Sequence, residues 1–416
     1  MGRRWPALLA ALTTLAVVLA PGVAGADDGA RPTADPGAPT PTAPYPGLPP
    51  EGSAPDGRTV GGEDLNTRGV VVAHGAPRLP AGLRASGWLI ADAGTGEVLA
   101  ARDPHGRYYP ASTLKTLTLL TLAPLLGPKK LVVGTAEDEN IEGSRVGLVA
   151  GGRYPVSLLF RALILQSGND AANALARAAG GVDVTVEAMS ETAEDIGAYD
   201  TVVGTPSGLD VAGQSSSPYD LALIFRDLVA NPVTAAILMT PTAQMPGVPG
   251  RSPGYQIQTQ NPLRGYPGTL GGKTGFTDAA RHTFVTAAQR SGRRLVVSVM
   301  DTESRPLRAA DQAALLLDWG FALPAGVQGV GRLVEPEDLV SPETSASPTP
   351  LPAASPVRRA AAGPASSSVL PLSLAGGGLL VLVIAFLGRR RLLRRAPVPS
   401  RRVPTAPTGG SPSTPP

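Results

Sequence analysis

The chain of 416 residues contains no cysteine, which excludes disulfides, thiol nucleophiles and thiolate-held zinc or iron–sulfur centres. Histidine is nearly as scarce. His74, His105 and His282 stand far apart, and no His-Glu-x-x-His run offers a metal site. Lys and Arg total 36 against 33 Asp and Glu, and the basic excess sits near the C-terminus, so charge gives no footprint of nucleic-acid binding. Phosphate loops are incomplete too. Gly94-x-Gly96 lacks a third glycine and a following helix. Gly272-Lys273-Thr274 lacks the glycine five residues earlier, where Pro267 stands.

What the chain has in excess is glycine and proline, 50 and 44 residues, the proline concentrated in tails around one periodic stretch. Residues 1–26 read as a secretory signal: Arg3 and Arg4, a short apolar run, then Ala24-Gly25-Ala26 as a small-residue cleavage pattern. Residues 27–64 form a Pro/Gly-rich arm with too little apolar surface to offset ordering entropy. Residues 65–330 are long enough to bury one large core. A Pro/Ala/Ser-rich linker, 331–368, leads to 369–388, uncharged and about long enough to span a bilayer. Arg389, Arg390, Arg391, Arg394 and Arg395 open a basic tail, 389–416. The positive-inside rule then predicts a single-pass protein of the cell membrane, its domain extracytoplasmic and its C-terminus cytoplasmic.

Within the periodic stretch, 87–91 and 97–101 read as a hairpin. A helix over 112–126 is apolar on most faces and reads as buried. Further helices are expected over 155–166, 171–179 (with Asp170 as cap), 184–196, 218–230 (capped by Ser217) and 232–239. Strands at 255–260, 269–274, 282–288 and 295–300 precede a closing helix over 305–319. His105 reads as a turn residue. This order predicts an α+β fold: an antiparallel sheet with helices packed on it, not alternating βαβ units.

Three short elements carry chemistry. Ser112-Thr113-Leu114-Lys115 opens the buried helix and places a hydroxyl and an amine on one face, three residues apart. A buried ammonium tends to lose its proton, so Lys115 is a usable base for a Ser112 nucleophile. Ser167-Gly168-Asn169 lies between two helices, where a tight loop can project a hydroxyl and an amide. Lys273-Thr274-Gly275 lies on a strand, its glycine permitting close backbone approach. Lys273 would be a second cation that depresses the pKa of either lysine.

The ordered set Ser-x-x-Lys, Ser-Gly-Asn and Lys-Thr-Gly resembles the serine-type D-alanyl-D-alanine carboxypeptidases, the low-molecular-weight penicillin-binding proteins. The likeness covers about residues 80–322 and extends to Ser207-Gly208-Leu209-Asp210, Pro218-Tyr219-Asp220-Leu221-Ala222 and Gly271 to Thr277. It departs at Ser207, where the family often has histidine, and at Arg281, where it often has glycine. The resemblance implies the penicillin-binding/β-lactamase-like transpeptidase fold with a helical subdomain, no cofactor and no metal. It implies that Ser112 attacks the terminal D-Ala-D-Ala bond of a peptidoglycan stem peptide and that Lys115 takes its proton. Ser167 and Lys273 would relay a proton to the leaving D-Ala. Asn169 would bind the substrate amide and Thr274 its carboxylate. Backbone N–H groups of Ser112 and Phe276, beside Gly275, would hold the oxyanion, and β-lactams would acylate Ser112. A class A β-lactamase is the alternative enzyme, but no Glu-x-x-Leu-Asn occurs between 170 and 220. A catalytically silent peptidoglycan-binding protein is the alternative outside catalysis; the intact polar motifs argue against it.

Overall fold

The computed structural model describes residues 51–324 and 326–339. The expected signal, spanning segment and cytoplasmic tail, most of the arm, and the linker from residue 340 on lie outside the described residues.

In chain order the elements are β1 (Val70–Val72), β2 (Gly87–Asp92), β3 (Val98–Arg102), α1 (Lys115–Leu125), β4 (Leu131–Val133), α2 (Ala136–Asn140) and β5 (Arg153–Pro155). Next come α3 (Val156–Leu165), α4 (Asn169–Ala178), α5 (Val182–Asp195), α6 (Pro218–Ala230), α7 (Pro232–Leu238), β6 (Thr242–Met245) and β7 (Tyr255–Gln258). The chain closes with β8 (Thr269–Thr277), β9 (Arg281–Arg290), β10 (Arg293–Thr302) and α8 (Ala309–Ala322). Six strands form one antiparallel sheet in the order β1-β3-β2-β10-β9-β8.

The apolar run of β10 explains the layering. Alternate residues of a strand face opposite sides. Leu295, Val297 and Val299 belong to one core, which α8 covers, while Val296 and Met300 belong to the other, beneath the helical block. A central strand buried on both faces needs apolar residues at every position. The one polar residue of that run, Ser298, donates to the carbonyl of Pro218 at the start of α6. Ser217 caps that helix, accepting from Asp220 N–H.

Four expectations are corrected. The expected strand at 255–260 is β7, Tyr255–Gln258, which joins β6 in a separate two-stranded sheet because the 246–254 turn folds it back onto β6. The expected helix over 305–319 begins only at Ala309, after Arg308, whose N–H and guanidinium both bind Asp311. Part of the arm, 51–64, is ordered: Val60 is buried, and Gly52 N–H donates to the Asp200 carboxylate at 2.9 Å. The domain also runs past 330, since Leu333 is fully buried and Arg332 O accepts from Tyr219 Oη.

The ordered part of the arm is held through His105, which is buried rather than a simple turn residue. Its Nδ1 lies 3.0 Å from Asp200 and its Nε2 3.0 Å from Val60 O. Arg107 Nε binds the other Asp200 oxygen at 3.0 Å. Burial opposes charge on His105, but the hydrogen bond and charge of Asp200 outweigh it and hold its pKa above 6.5. A fragment of residues 51–339 is therefore expected to unfold at clearly higher denaturant than one of residues 65–330. The shorter piece deprives His105 Nε2 of Val60 O and Asp200 of the Gly52 N–H, a loss of about 1–3 kcal/mol. Equal midpoints in urea titrations would refute this role for the strap.

Candidate active site

Ser112 stands where the sheet meets the helical block. Ala111–Leu114 form a 3-10 turn, and the α-helix begins only at Lys115, so Ser112 precedes that helix instead of capping it. Ala111 has φ 47°, a left-handed conformation unusual for a residue with a Cβ. The turn is tied to β9 by Thr283 Oγ1, which donates to Pro110 O at 2.9 Å. It also touches β8. A Cβ on Gly275 would lie 2.3 Å from Thr283 Oγ1 and 3.0 Å from Ala111 Cβ. The glycine of Lys-Thr-Gly is thus required by the nucleophile turn itself, as well as leaving room for a ligand backbone.

Lys115 is fully buried on the first turn of α1. Its Nζ lies 2.8 Å from Ser112 Oγ, 2.7 Å from Asn169 Oδ1 and 2.5 Å from the carbonyl of Ser207. Lys273, 2 % exposed on β8, donates to Ser167 Oγ at 3.0 Å and to Thr274 O at 2.7 Å. Among the described residues neither amine is in an ion pair; their partners are hydroxyl, amide and carbonyl oxygens. Burial, and then the charge of Lys273, push the Lys115 pKa well below 10.5 and outweigh the opposing charge of Asp170. Burial alone lowers Lys273 to about 7. A neutral amine has two hydrogens and one lone pair. Asn169 Oδ1 and Ser207 O can take the two hydrogens, which leaves the lone pair for the Ser112 hydroxyl.

Hydrogen bonds join the three motifs into one cluster, Lys115 to Ser112 and Asn169 and Lys273 to Ser167. Ser167, at φ 58°, is a tight-loop residue as expected. Asn169 opens α4, and its Nδ2 donates to Glu142 O at 2.7 Å, which fixes Oδ1 toward Lys115. Thr274 is half-buried and Phe276 is 52 % exposed, its ring 4.6 Å from that of His282. β8 is an edge strand of the sheet, so one side of its backbone is open to a ligand.

Two site residues were not legible in the sequence. Asp170 does not cap α4. Its fully buried carboxylate accepts from Val146, Gly147 and Leu148 N–H at 2.7–2.9 Å and shapes the 142–148 loop that holds Asn169. Ser207 contributes through its carbonyl, so the difference in side chain from the family pattern leaves the Lys115 contact intact. Arg281, the other departure, lies at the β8–β9 turn with φ 54° and pairs with Glu303. The turn is closed by Thr277 Oγ1, which donates to Asp210 and accepts from Ala280 N–H.

Comparison with known proteins agrees with this geometry. DacB2 of Mycobacterium tuberculosis, a D-alanyl-D-alanine carboxypeptidase, is 46% identical over 241 residues, covering 57% of this chain and 82% of that one. DacD of Escherichia coli is 32% identical over 257 residues, 58% of this chain and 64% of the relative, so the chain spans just under two thirds of that protein. The crystal structure of D-alanyl-D-alanine carboxypeptidase from M. tuberculosis superposes with a TM-score of 0.60 at 43% identity, covering 63% of this chain and 99% of the other. The profile of the peptidase S11 family, described as D-alanyl-D-alanine carboxypeptidase, matches residues 73–304. With that match over more than half of its length, and the three motifs joined in one hydrogen-bonded cluster, the chain belongs to the D-alanyl-D-alanine carboxypeptidase family S11.

Proposed function

We propose that this chain removes the terminal D-Ala from peptidoglycan stem peptides through an acyl-enzyme on Ser112. The observation that carries the reading is the Lys115 amine, buried without a carboxylate and 2.8 Å from Ser112 Oγ. Lys115 takes the hydroxyl proton as Oγ bonds to the carbonyl carbon of the D-Ala-D-Ala bond. The resulting oxyanion is held by backbone N–H groups of Ser112 and Phe276. The C–N bond then breaks, and the leaving amine collects its proton through Ser167 and Lys273. Water attacks the ester, returns the proton to Ser112 Oγ and frees the shortened peptide. Asn169 orients the substrate amide and Thr274 receives the terminal carboxylate at the open edge of β8, with Gly275 keeping that edge clear. β-Lactams, which carry a strained amide beside a carboxylate, enter by the same route and stay on Ser112. The alternative of a β-lactamase is disfavoured in this reading, since no Glu-x-x-Leu-Asn occurs between 170 and 220 to activate a deacylating water.

The site works outside the cytoplasm in this reading. The signal at 1–26 exports the chain, 369–388 crosses the membrane, and the linker gives the domain reach of roughly 100 Å toward the wall at about 3.1 Å per residue. An inert tag after Pro416 is then expected to be cytoplasmic, shielded from protease added to intact wall-stripped cells, while the domain is digested. A tag cleaved in intact cells would refute the topology.

Ser112→Ala is expected to abolish both D-Ala release from a pentapeptide ending in D-Ala-D-Ala and covalent penicillin labelling. Lys115→Ala is expected to stay folded and label at least about 10²–10⁴-fold more slowly, the usual contribution of a positioned base. Mass spectrometry of the labelled peptide tests the nucleophile; an adduct on Ser167, or normal labelling of Lys115→Ala, would overturn the assignment.

Burial of Lys273 also makes stability depend on pH. Its pKa falls from 10.5 to about 7 on folding, so between those values the unfolded chain binds more protons than the folded one. Stability attributable to this residue therefore rises with pH from about 7 to 10.5 and is lowest, and constant, below 7. Lys273→Met is expected to be inactive yet more stable at pH 7 by about 2–4 kcal/mol, with a flatter profile above pH 7. Denaturant titrations from pH 6 to 10 measure this, and a destabilised Lys273→Met would contradict it.

A further inference from the structure

The Lys115 amine has two acceptors on unrelated supports. Asn169 Oδ1 comes from α4 and is steadied by Glu142 O. Ser207 O comes from the 204–209 loop, which has no regular secondary structure of its own. A loop carbonyl can turn away by rotation of one peptide plane, so something must hold this one.

Three contacts do so. Thr118 lies one turn after Lys115 on α1 and is fully buried; its Oγ1 donates to Pro206 O at 2.7 Å. That carbonyl belongs to the peptide next to the one Lys115 uses, so a single helix face grips both. Gln214, 2 % exposed, spans the loop from within. Its Oε1 accepts from Gly204 N–H at 3.2 Å and Thr205 N–H at 3.0 Å, and its Nε2 donates to Leu209 O at 2.8 Å. Gly208 seats the loop on the nucleophile turn. Its φ is 79°, and a Cβ there would lie 1.9 Å from Ala111 O. No side chain fits between the loop and the residue before Ser112.

We propose that Thr118 and Gln214 are positioning residues for acylation: they hold the 204–209 loop so that Ser207 O takes one hydrogen of the Lys115 amine and the lone pair stays aimed at Ser112. Neither touches substrate. Both act through a backbone carbonyl, which no reading of side-chain motifs would reveal. The inference rests on Lys115 being the base.

The test separates positioning from mere packing by its pH signature. A carbonyl acceptor favours the ammonium over the amine, because hydrogen bonds from a charged donor are the stronger. Losing it lowers the proton affinity of Lys115, and the charged groups that bear on this amine, Lys273 and Asp170, are untouched. In the full chain, Thr118→Val is expected to lower kcat/KM for D-Ala release and the rate of penicillin acylation by about 10–100-fold, part of a base's usual contribution, with KM little changed. The acidic limb of its pH profile moves to lower pH. Thr118→Ser restores both. Gln214→Met, which frees the loop from the other side, gives the same signature independently. Thr121→Val is the control: Thr121 Oγ1 donates to Thr192 Oγ1 at 3.0 Å on the same helix, away from the loop, and its loss leaves rate and limb unchanged. Folded Thr118→Val and Gln214→Met with the wild-type rate and limb would overturn the proposal, as would a slowed Thr118→Val whose limb does not move. Ser112→Ala in parallel distinguishes this from failure of the mechanism: if it still labels, the nucleophile is wrong; if it is dead while Thr118→Val is normal, only the positioning role falls.

Discussion

Two buried amines belong to one hydrogen-bonded cluster with, among the described residues, no carboxylate paired to either, and the surrounding fold is arranged around that fact. Displacing one lysine from 10.5 to about 7 corresponds to roughly 5 kcal/mol of preference for the neutral form. An aspartate beside Lys115 would relieve that strain and would also restore the ammonium, which cannot accept a proton. The acid nearest in effect, Asp170, is occupied by four backbone N–H groups, and its opposing effect is outweighed by burial and Lys273. Stability is forgone locally so that a base exists at neutral pH.

Holding such a site needs rigid supports from several directions. α1 carries the amine, the 3-10 turn before it carries the hydroxyl, and β8 carries the second lysine. Two irregular loops, 142–148 and 204–209, add the acceptors that orient the amine. Each is fixed by a buried polar side chain whose hydrogen bonds go to backbone, Asp170 for one and Gln214 for the other. Buried loop backbone is tolerable only when its polar groups are satisfied, and the same bonds that satisfy it aim its carbonyls.

Much of this could be anticipated from periodicity. The apolar run of β10, the hairpin of β2 and β3, the Ser217 cap of α6 and the buried character of α1 are local patterns with local causes. The three motifs were also visible, because each needs particular residue types at fixed spacing on one element. Ser112 and Lys115 meet because residues three apart on a tight helical turn share a face. The ordering of 51–64 was not visible: that stretch has few apolar residues, and what holds it is Asp200 and His105, more than forty residues away in sequence. The strand at 255–258 was visible, but its partner was not, since strand propensity does not name the strand it pairs with.

The sequence by itself determined which groups do the chemistry: a hydroxyl three residues before a buried amine, a second hydroxyl with an amide, and a second amine on a strand ending in glycine. Only the tertiary structure decided how they face one another. Contacts such as Ser207 O to Lys115, Thr118 to Pro206 O and Asp170 to the 146–148 amides use backbone atoms, which every residue carries and which leave no mark in the amino-acid pattern. Side-chain identity is written in the sequence; the direction of a carbonyl is set by the packing of segments that lie far apart along it.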